Sequence, residues 1–265
     1  MIDLHCHLLP GIDDGASDLE TSLAMARMAV ADGIEVVACT PHIMPGYYDN
    51  TGPGIRSAVA NLQARLDEAE ILLTLIPGAD VHLVPNMAAG LKSGHLQTLG
   101  DSRYFLFEPP HHIAPPRLEE AVFEVMAAGY QPLITHPERL TWIEAHYEVI
   151  AGMARTGAWI QLTAGSITGM FGKRPQYWSE RMLSEGLVHV IATDAHNLRR
   201  RVPVLSEAVE AVSERLGAEA AHDMVWTRPL AVLLNDEPAS TPALVGGQLE
   251  ASSQPNFFRR LFRLN

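Results

Sequence analysis

Apolar positions along the chain alternate between two forms: short β-rich runs, and longer stretches in which apolar residues return every three or four positions. The short runs at 2–5, 34–40, one of 72–76 or 81–84, 103–107, 132–135, 159–163 and 188–193 predict about seven strands. Between them, helices are predicted over 61–70, 118–128, 142–155, 175–184 and 203–216. An earlier helix follows Ser17 or Asp18 as its cap, carries Leu19, Leu23, Ala26 and Val30 on one face, and stops at Gly33.

Strands that regularly give way to helices imply a parallel sheet with crossover connections. An open doubly wound sheet and a closed barrel both satisfy that order. The candidate chemistry favours closure, because it falls at the end of nearly every predicted strand and has to converge on one point, as it does at the C-terminal mouth of a (β/α) barrel. The expectation is therefore an α/β fold, a distorted (β/α)7 TIM-like barrel over residues 1–234. Residues 235–256 are rich in Pro, Ser, Gly and Ala and read as a flexible linker. Residues 257–265 hold three arginines among Phe257, Phe258, Leu261, Phe262 and Leu264, a basic amphipathic segment that could meet an anionic membrane surface or an acidic groove, or dock on its own barrel or a sister subunit.

Composition narrows the function. A chain of 265 residues, 47% hydrophobic and 19% charged, is an ordinary globular protein. Its net charge of -12 argues against coating nucleic acid, which needs a basic footprint. Cys6 and Cys39 form no CxxC pair, so neither a disulfide framework nor a thiolate zinc site is expected. With no signal-peptide pattern and no membrane-length apolar run, the chain reads as cytoplasmic.

His5-Cys6-His7 ends the first strand, where residues two apart share a face, so both imidazoles point into the mouth. Asp13 and Asp14 follow in a Gly-flanked loop. Thr40-Pro41-His42 closes the second strand, Asp80 follows Gly78-Ala79, and Glu108 and His136 each close a strand. Asp194-Ala195-His196 ends the last strand with the same two-residue spacing. Any one of these has an ordinary structural explanation, a turn Asp or a strand-end acid; their recurrence at successive strand ends does not. Imidazoles and carboxylates without thiolates suit Mn, Fe or Zn. A cysteine phosphatase loop needs an Arg a fixed step after its Cys, and the residues at that step from Cys6 and Cys39 are Ile12 and Pro45. No GxSxG elbow and no Walker loop occurs.

The runs Asp3-Leu4-His5-Cys6-His7-Leu8-Leu9-Pro10-Gly11-Ile12-Asp13-Asp14-Gly15, Thr40-Pro41-His42, His136-Pro137-Glu138-Arg139 and Asp194-Ala195-His196-Asn197 resemble the PHP (polymerase and histidinol phosphatase) superfamily, and within it the bacterial manganese-dependent tyrosine-protein phosphatases of capsule and exopolysaccharide loci. The resemblance implies up to three divalent ions, Mn²⁺ foremost with Fe, Zn or Co as alternatives. It implies one ion on His5, His7 and Asp194, with Asp80 bridging to a second on Glu108 and His136, and a third on Asp14, His42 and His196. Where the family more usually has Glu, this chain has the shorter Asp80. Arg139 and Arg201 stand where the family binds phosphate, though Arg199 and Arg200 beside Arg201 read equally as a solvated basic run.

The function so implied is phosphomonoester hydrolysis by a metal-bridged hydroxide, most directly of a phosphotyrosine protein such as an autophosphorylating tyrosine kinase of polysaccharide export. A histidinol-phosphate or other small-molecule phosphatase is one alternative, and a non-catalytic, metal-containing kinase-binding module another. Amidohydrolases share the opening HxH but commonly use a carbamylated lysine, and no Lys occupies a predicted strand end. His111 and His112, in a proline-stiffened loop, and Tyr47 and Tyr48 lie on loops beyond ligand strands.

Overall fold

The computed structural model describes residues 1–246. Strands and helices alternate in chain order: β1 (Ile2–Cys6), α1 (Leu19–Ala31), β2 (Val36–Cys39), β3 (His42–Ile43), α2 (Gly52–Glu68), β4 (Thr74–Pro77), β5 (Asp80–His82), α3 (Met87–Lys92), β6 (Tyr104–Glu108) and α4 (Leu118–Ala127). They continue with β7 (Gln131–Thr135), α5 (Ile143–Arg155), β8 (Trp159–Thr163), α6 (Ala164–Ile167), α7 (Lys173–Ser184), β9 (Val190–Ala192), α8 (Ser206–Leu216), α9 (Ala218–His222) and α10 (Arg228–Leu233). No helix among the described residues is long and apolar enough to cross a membrane.

Strand pairing is parallel throughout and runs in two sheets, β1-β2-β4 and β3-β5-β6-β7-β8-β9. The two are one barrel. β2 continues into β3 across Thr40-Pro41, where proline has no N–H to give the ladder. β4 continues into β5 across Gly78-Ala79. Gly78 N donates to Cys39 O at 3.0 Å and Asp80 N to Pro41 O at 3.1 Å, so the pairing crosses the gap. Gly78 lets the strand pass closely there, since a Cβ would lie 2.9 Å from methyl groups of both Leu99 and Thr40, which would have to shift. On the opposite seam, Asp194 N donates to His5 O at 2.8 Å and His7 N to Ala195 O at 2.9 Å. Seven strands thus close into a ring, counting each interrupted pair once, and the expected barrel is present. The two apolar runs offered as alternatives, 72–76 and 81–84, are the two halves of one strand.

Two packed regions hold the barrel. Ile2, Leu4, Ala38, Leu106, Leu133, Trp159 and Val190, drawn from six strands, fill its inside, while a larger cluster joins the outward strand faces to the helices. The register slips between Asp3 and Cys6, so Leu4 packs inside and Cys6 outside. Helix boundaries depart from expectation for local reasons. α1 is capped by Asp18, which accepts from Thr21 N; it buries Ala26 as expected, but with Ser22, Met25 and Ala29, and leaves Leu19 and Val30 about a third exposed. α2 begins nine residues before the expected 61, because Gly52-Pro53-Gly54, which reads as a turn, is its first turn under a Thr51 cap.

Beyond Leu216 the chain adds α9, a π-helical turn over Asp223–Thr227 and α10. Arg228 is only 1% exposed and donates to the carbonyls of His189 at 3.4 Å and of Pro242 and Ala243 at 3.2 Å. Asn235 Oδ1 accepts from Arg103 N at 2.8 Å, and Tyr104 Oη donates to Asp236 O at 2.8 Å. The first part of the segment read as a linker therefore lies against the barrel; the basic segment 257–265 falls outside the described residues.

One cap comes from far along the chain: Asp32 Oδ2 accepts from Leu205 N at 2.6 Å and Ser206 N at 3.1 Å, satisfying the start of α8. Replacing it leaves those donors without a partner. Asp32→Ala is expected to lower unfolding stability by about 1–2 kcal/mol in urea titration, and unchanged stability would show that water serves α8 as well.

Candidate metal centre

Six of the seven strands deliver polar side chains to one buried point. His5 comes from β1, His7 just after it, His42 from β3, Asp80 from β5, Glu108 from β6, His136 after β7, and Asp194 and His196 after β9. All are buried except His42, which is partly so. Asp14 hangs over the group from the loop after β1 and is more open. The nine sequence candidates come together, in overlapping groups whose possible donor atoms lie within 4.8 Å of one another: His7, Asp14, His42 and His196; His5, His7 and Asp80; His5, His136 and Asp194; Asp80, Glu108 and His136. His7 thus leans toward Asp14 as well as toward His5, and His136 serves Asp194 as well as Glu108.

The geometry of the pairs is close. His5 Nε2 and His7 Nε2 are 3.2 Å apart, and Asp194 Oδ1 lies 3.3 and 3.4 Å from them. His196 Nε2 stands 3.3 Å from Asp14 Oδ1, and His42 Nε2 3.4 Å from the same oxygen. Asp80 Oδ2, Glu108 Oε2, Asp194 Oδ1 and His196 Nε2 are buried without a hydrogen-bond partner. Such atoms are costly unless something takes them. Divalent ions fit: the orphans are imidazole nitrogens and carboxylate oxygens facing one another.

The charge states agree. Burial pushes His5 down to about 3 and His196 to about 4, and holds His136 well below its ordinary value, so these rings are neutral with a free lone pair. Burial, with Glu108 nearby, raises Asp80 well above the usual carboxylate range. Against burial, the Arg201 and Arg139 guanidinium groups keep Asp194 ionised. Also against burial, Asp14 and Glu108 hold His42 up at about 11. That proton is the one a cation replaces.

A second layer fixes the rings. His5 Nδ1 bonds Gln161 Oε1 at 2.9 Å, His7 Nδ1 bonds Asp13 Oδ2 at 2.7 Å, and His196 Nδ1 bonds Asp194 O at 3.0 Å, leaving Nε2 of each toward the centre. Asp13 also accepts from Gly15 N at 2.9 Å and His42 N at 3.2 Å. Gly15 must be glycine, because a Cβ would fall 2.2 Å from His7 O. His136 and Asp194 hold φ of 35° and 50°, left-handed values that non-glycine residues adopt at a cost of about 1–3 kcal/mol each.

Arg139 and Arg201 both reach Asp194 Oδ2, Arg201 Nη2 at 2.5 Å. Arg139 is braced 4.8 Å over the Phe171 ring. Arg201 turns inward, its Nε donating to Asp194 O at 3.2 Å, while Arg199 and Arg200 are exposed, so the basic run divides. Of the loop residues, Tyr48 stacks on His42 at 5.6 Å, whereas Tyr47 is exposed. Both cysteines are buried, and burial pushes the Cys6 thiol up, so neither is a nucleophile. Two residues of the centre escaped the motifs: Gln161, visible only as a polar residue in an apolar strand, and His82, two residues after Asp80 and against Glu108; Asp13 lay inside the opening motif, but its part as the partner of His7 did not show there. Asp13→Ala frees the His7 ring without removing a candidate ligand. It should weaken metal binding about 10–100-fold in chelator competition, and wild-type affinity would make Asp13 a loop residue only.

Over residues 1–234 the chain matches the capsular polysaccharide synthesis family CpsB/CapC. Tyrosine-protein phosphatase YwqE of Bacillus subtilis is 36% identical over 219 residues, 83% of this chain and 86% of that one. Tyrosine-protein phosphatase CpsB of Streptococcus pneumoniae is 26% identical over 242 residues, 89% of this chain and 99% of its own. A chain from the crystal structures of those two proteins, described as unique metal-dependent tyrosine phosphatases, superposes with a TM-score of 0.87 at 33% identity, covering 94% of this chain and all of the other. A D-hydantoinase, with a TM-score of 0.54 at 12% identity, shares the barrel fold alone. Family match, identity and superposition agree with the geometry: this chain belongs to the CpsB/CapC family of capsular polysaccharide synthesis.

Proposed function

We propose that the chain is a metal-dependent phosphatase acting on phosphotyrosine in proteins. The observation that carries this reading is the set of buried, unpartnered imidazole and carboxylate atoms with two guanidinium groups at its edge. His5, His7, Asp14, His42, Asp80, Glu108, His136, Asp194 and His196 would hold the ions, Mn²⁺ foremost. Ions bound there supply Lewis acidity toward phosphoryl oxygens and lower the pKa of water.

The chain's own groups do the rest. Arg139 and Arg201 share one Asp194 oxygen, which leaves other N–H groups of each fork for phosphoryl oxygens. The Phe171 ring keeps Arg139 from swinging out. Beside the centre opens a groove of about 1010 Å³, walled mostly by apolar residues and by Tyr48, which presents an aromatic face at the mouth. An aryl ester with its flanking peptide fits such a wall. Asp49 is the one carboxylate among the lining residues, which is little to hold the ammonium of an amino-alcohol phosphate such as histidinol phosphate. Phenolate is a good leaving group, so a strong general acid is not demanded. The substrate in the cell is then a phosphotyrosine protein of polysaccharide export, an autophosphorylating kinase foremost, met in the cytoplasm.

The test is a panel of phosphotyrosine peptide, phosphoserine peptide and histidinol phosphate with Mn²⁺, with and without chelator; preference for histidinol phosphate would overturn the reading. His136→Ala and Asp194→Asn should each abolish turnover of an aryl phosphate with circular dichroism unchanged, and activity at saturating Mn²⁺ in either would remove that residue from the centre. Arg139→Lys keeps the charge and loses the fork, so kcat/KM is expected to fall on the order of 100-fold; a wild-type value would make Arg139 structural.

A further inference from the structure

His82 ends β5 two residues beyond Asp80, so the two project to the same side of the strand. Its Nε2 lies against Glu108 Oε2, and His42 Nδ1 stands 3.2 Å from that same oxygen. His42, His82 and Glu108 form one more group of possible donors, which shares His42 with the group that contains Asp14 and Glu108 with the group of Asp80 and His136, and adds His82. Glu108 is 7% exposed, and its Oε2 and His42 Nδ1 are both buried and face one another, with His82 beside them. His82 is also part of the groove wall, which leaves one side of the group open to water.

We propose that His42 Nδ1, His82 Nε2 and Glu108 Oε2 form a further divalent-cation site at the outer edge of the centre. Two imidazoles and one carboxylate with an open fourth position are the donor set of zinc and cobalt sites. Glu108 can serve this position through Oε2 while its Oε1 faces His136 at 3.8 Å, so one carboxylate spans an inner and an outer cation. Asp80 Oδ2, 3.6 Å from His42 Nδ1, adds negative charge beside it. His42 limits the affinity. Its Nε2 already faces Asp14 at 3.4 Å, so an outer cation shares both His42 and Glu108 with the inner positions and meets the positive charge held there. The outer position therefore fills last and most weakly. It stands where the groove meets the centre.

The measurement is a Co²⁺ titration of chelator-stripped full-length protein, followed by calorimetry and visible absorption, for wild type, His82→Gln and His82→Ala. Expected is a last, weaker equivalent in wild type that is missing from both variants, while the tighter equivalents persist and show the centre intact. Two results would overturn the site: variants that bind as many equivalents as wild type, which reduces His82 to a partner orienting Glu108, or variants that lose the tight equivalents as well, which makes His82 part of the inner centre. Both readouts are metal binding, so neither depends on which phosphate ester is hydrolysed.

Discussion

The centre depends on the seam where β1 meets the segment after β9. Asp3, fully buried, accepts from Thr193 N and Thr193 Oγ1 across that seam and from His5 N on its own strand, and backbone bonds from Asp194 and His7 complete the join. Without it the barrel is an open sheet, and the pair His5 and His7 lies at one edge with Asp194 and His196 at the other. A carboxylate does this where an apolar contact would not, because it binds the last strand by direction as well as by burial. Burial pushes its pKa up to about 6, and the three donors offset part of the cost of keeping it charged.

Gathering four acids and five histidines in one mouth is unfavourable by itself. Desolvation raises Asp80 and drives three rings neutral, and His136 and Asp194 sit in left-handed backbone. The barrel's packed inside and the helices around it hold these groups in place, and cations bound there would relieve the charge. This is how stability is spent at a functional site: local rules of backbone and burial are broken together at strand ends, while the strands beneath remain continuous and apolar.

The barrel was legible because each strand is an apolar run with a polar residue at its end, and the period of apolar positions changes between strands and helices. Interruptions were not: Pro41 and Gly78 each divide a strand, and the halves of 74–82 read as competing choices. The exposed Leu19 and Val30 misplaced the face of α1, since tertiary packing chose Ser22 and Ala29 instead. Gly-Pro-Gly hid the first turn of α2, and the helices after Leu216 carried little period. In the centre, the HxH and DxH spacings announced themselves, but His82 lay in a run left undecided between two strands, and Gln161 acts only through a partner 156 residues away. Side chains that work through another residue leave no local pattern.

Anomalous diffraction from crystals of the protein, collected at the manganese, iron and zinc edges, tests the central claim most directly. The account predicts peaks about 2.0–2.2 Å from the imidazole nitrogens and carboxylate oxygens of the nine gathered residues, with Arg139 and Arg201 at their margin. A mouth without anomalous signal in catalytically active crystals, or ions bound elsewhere on the barrel, would contradict it.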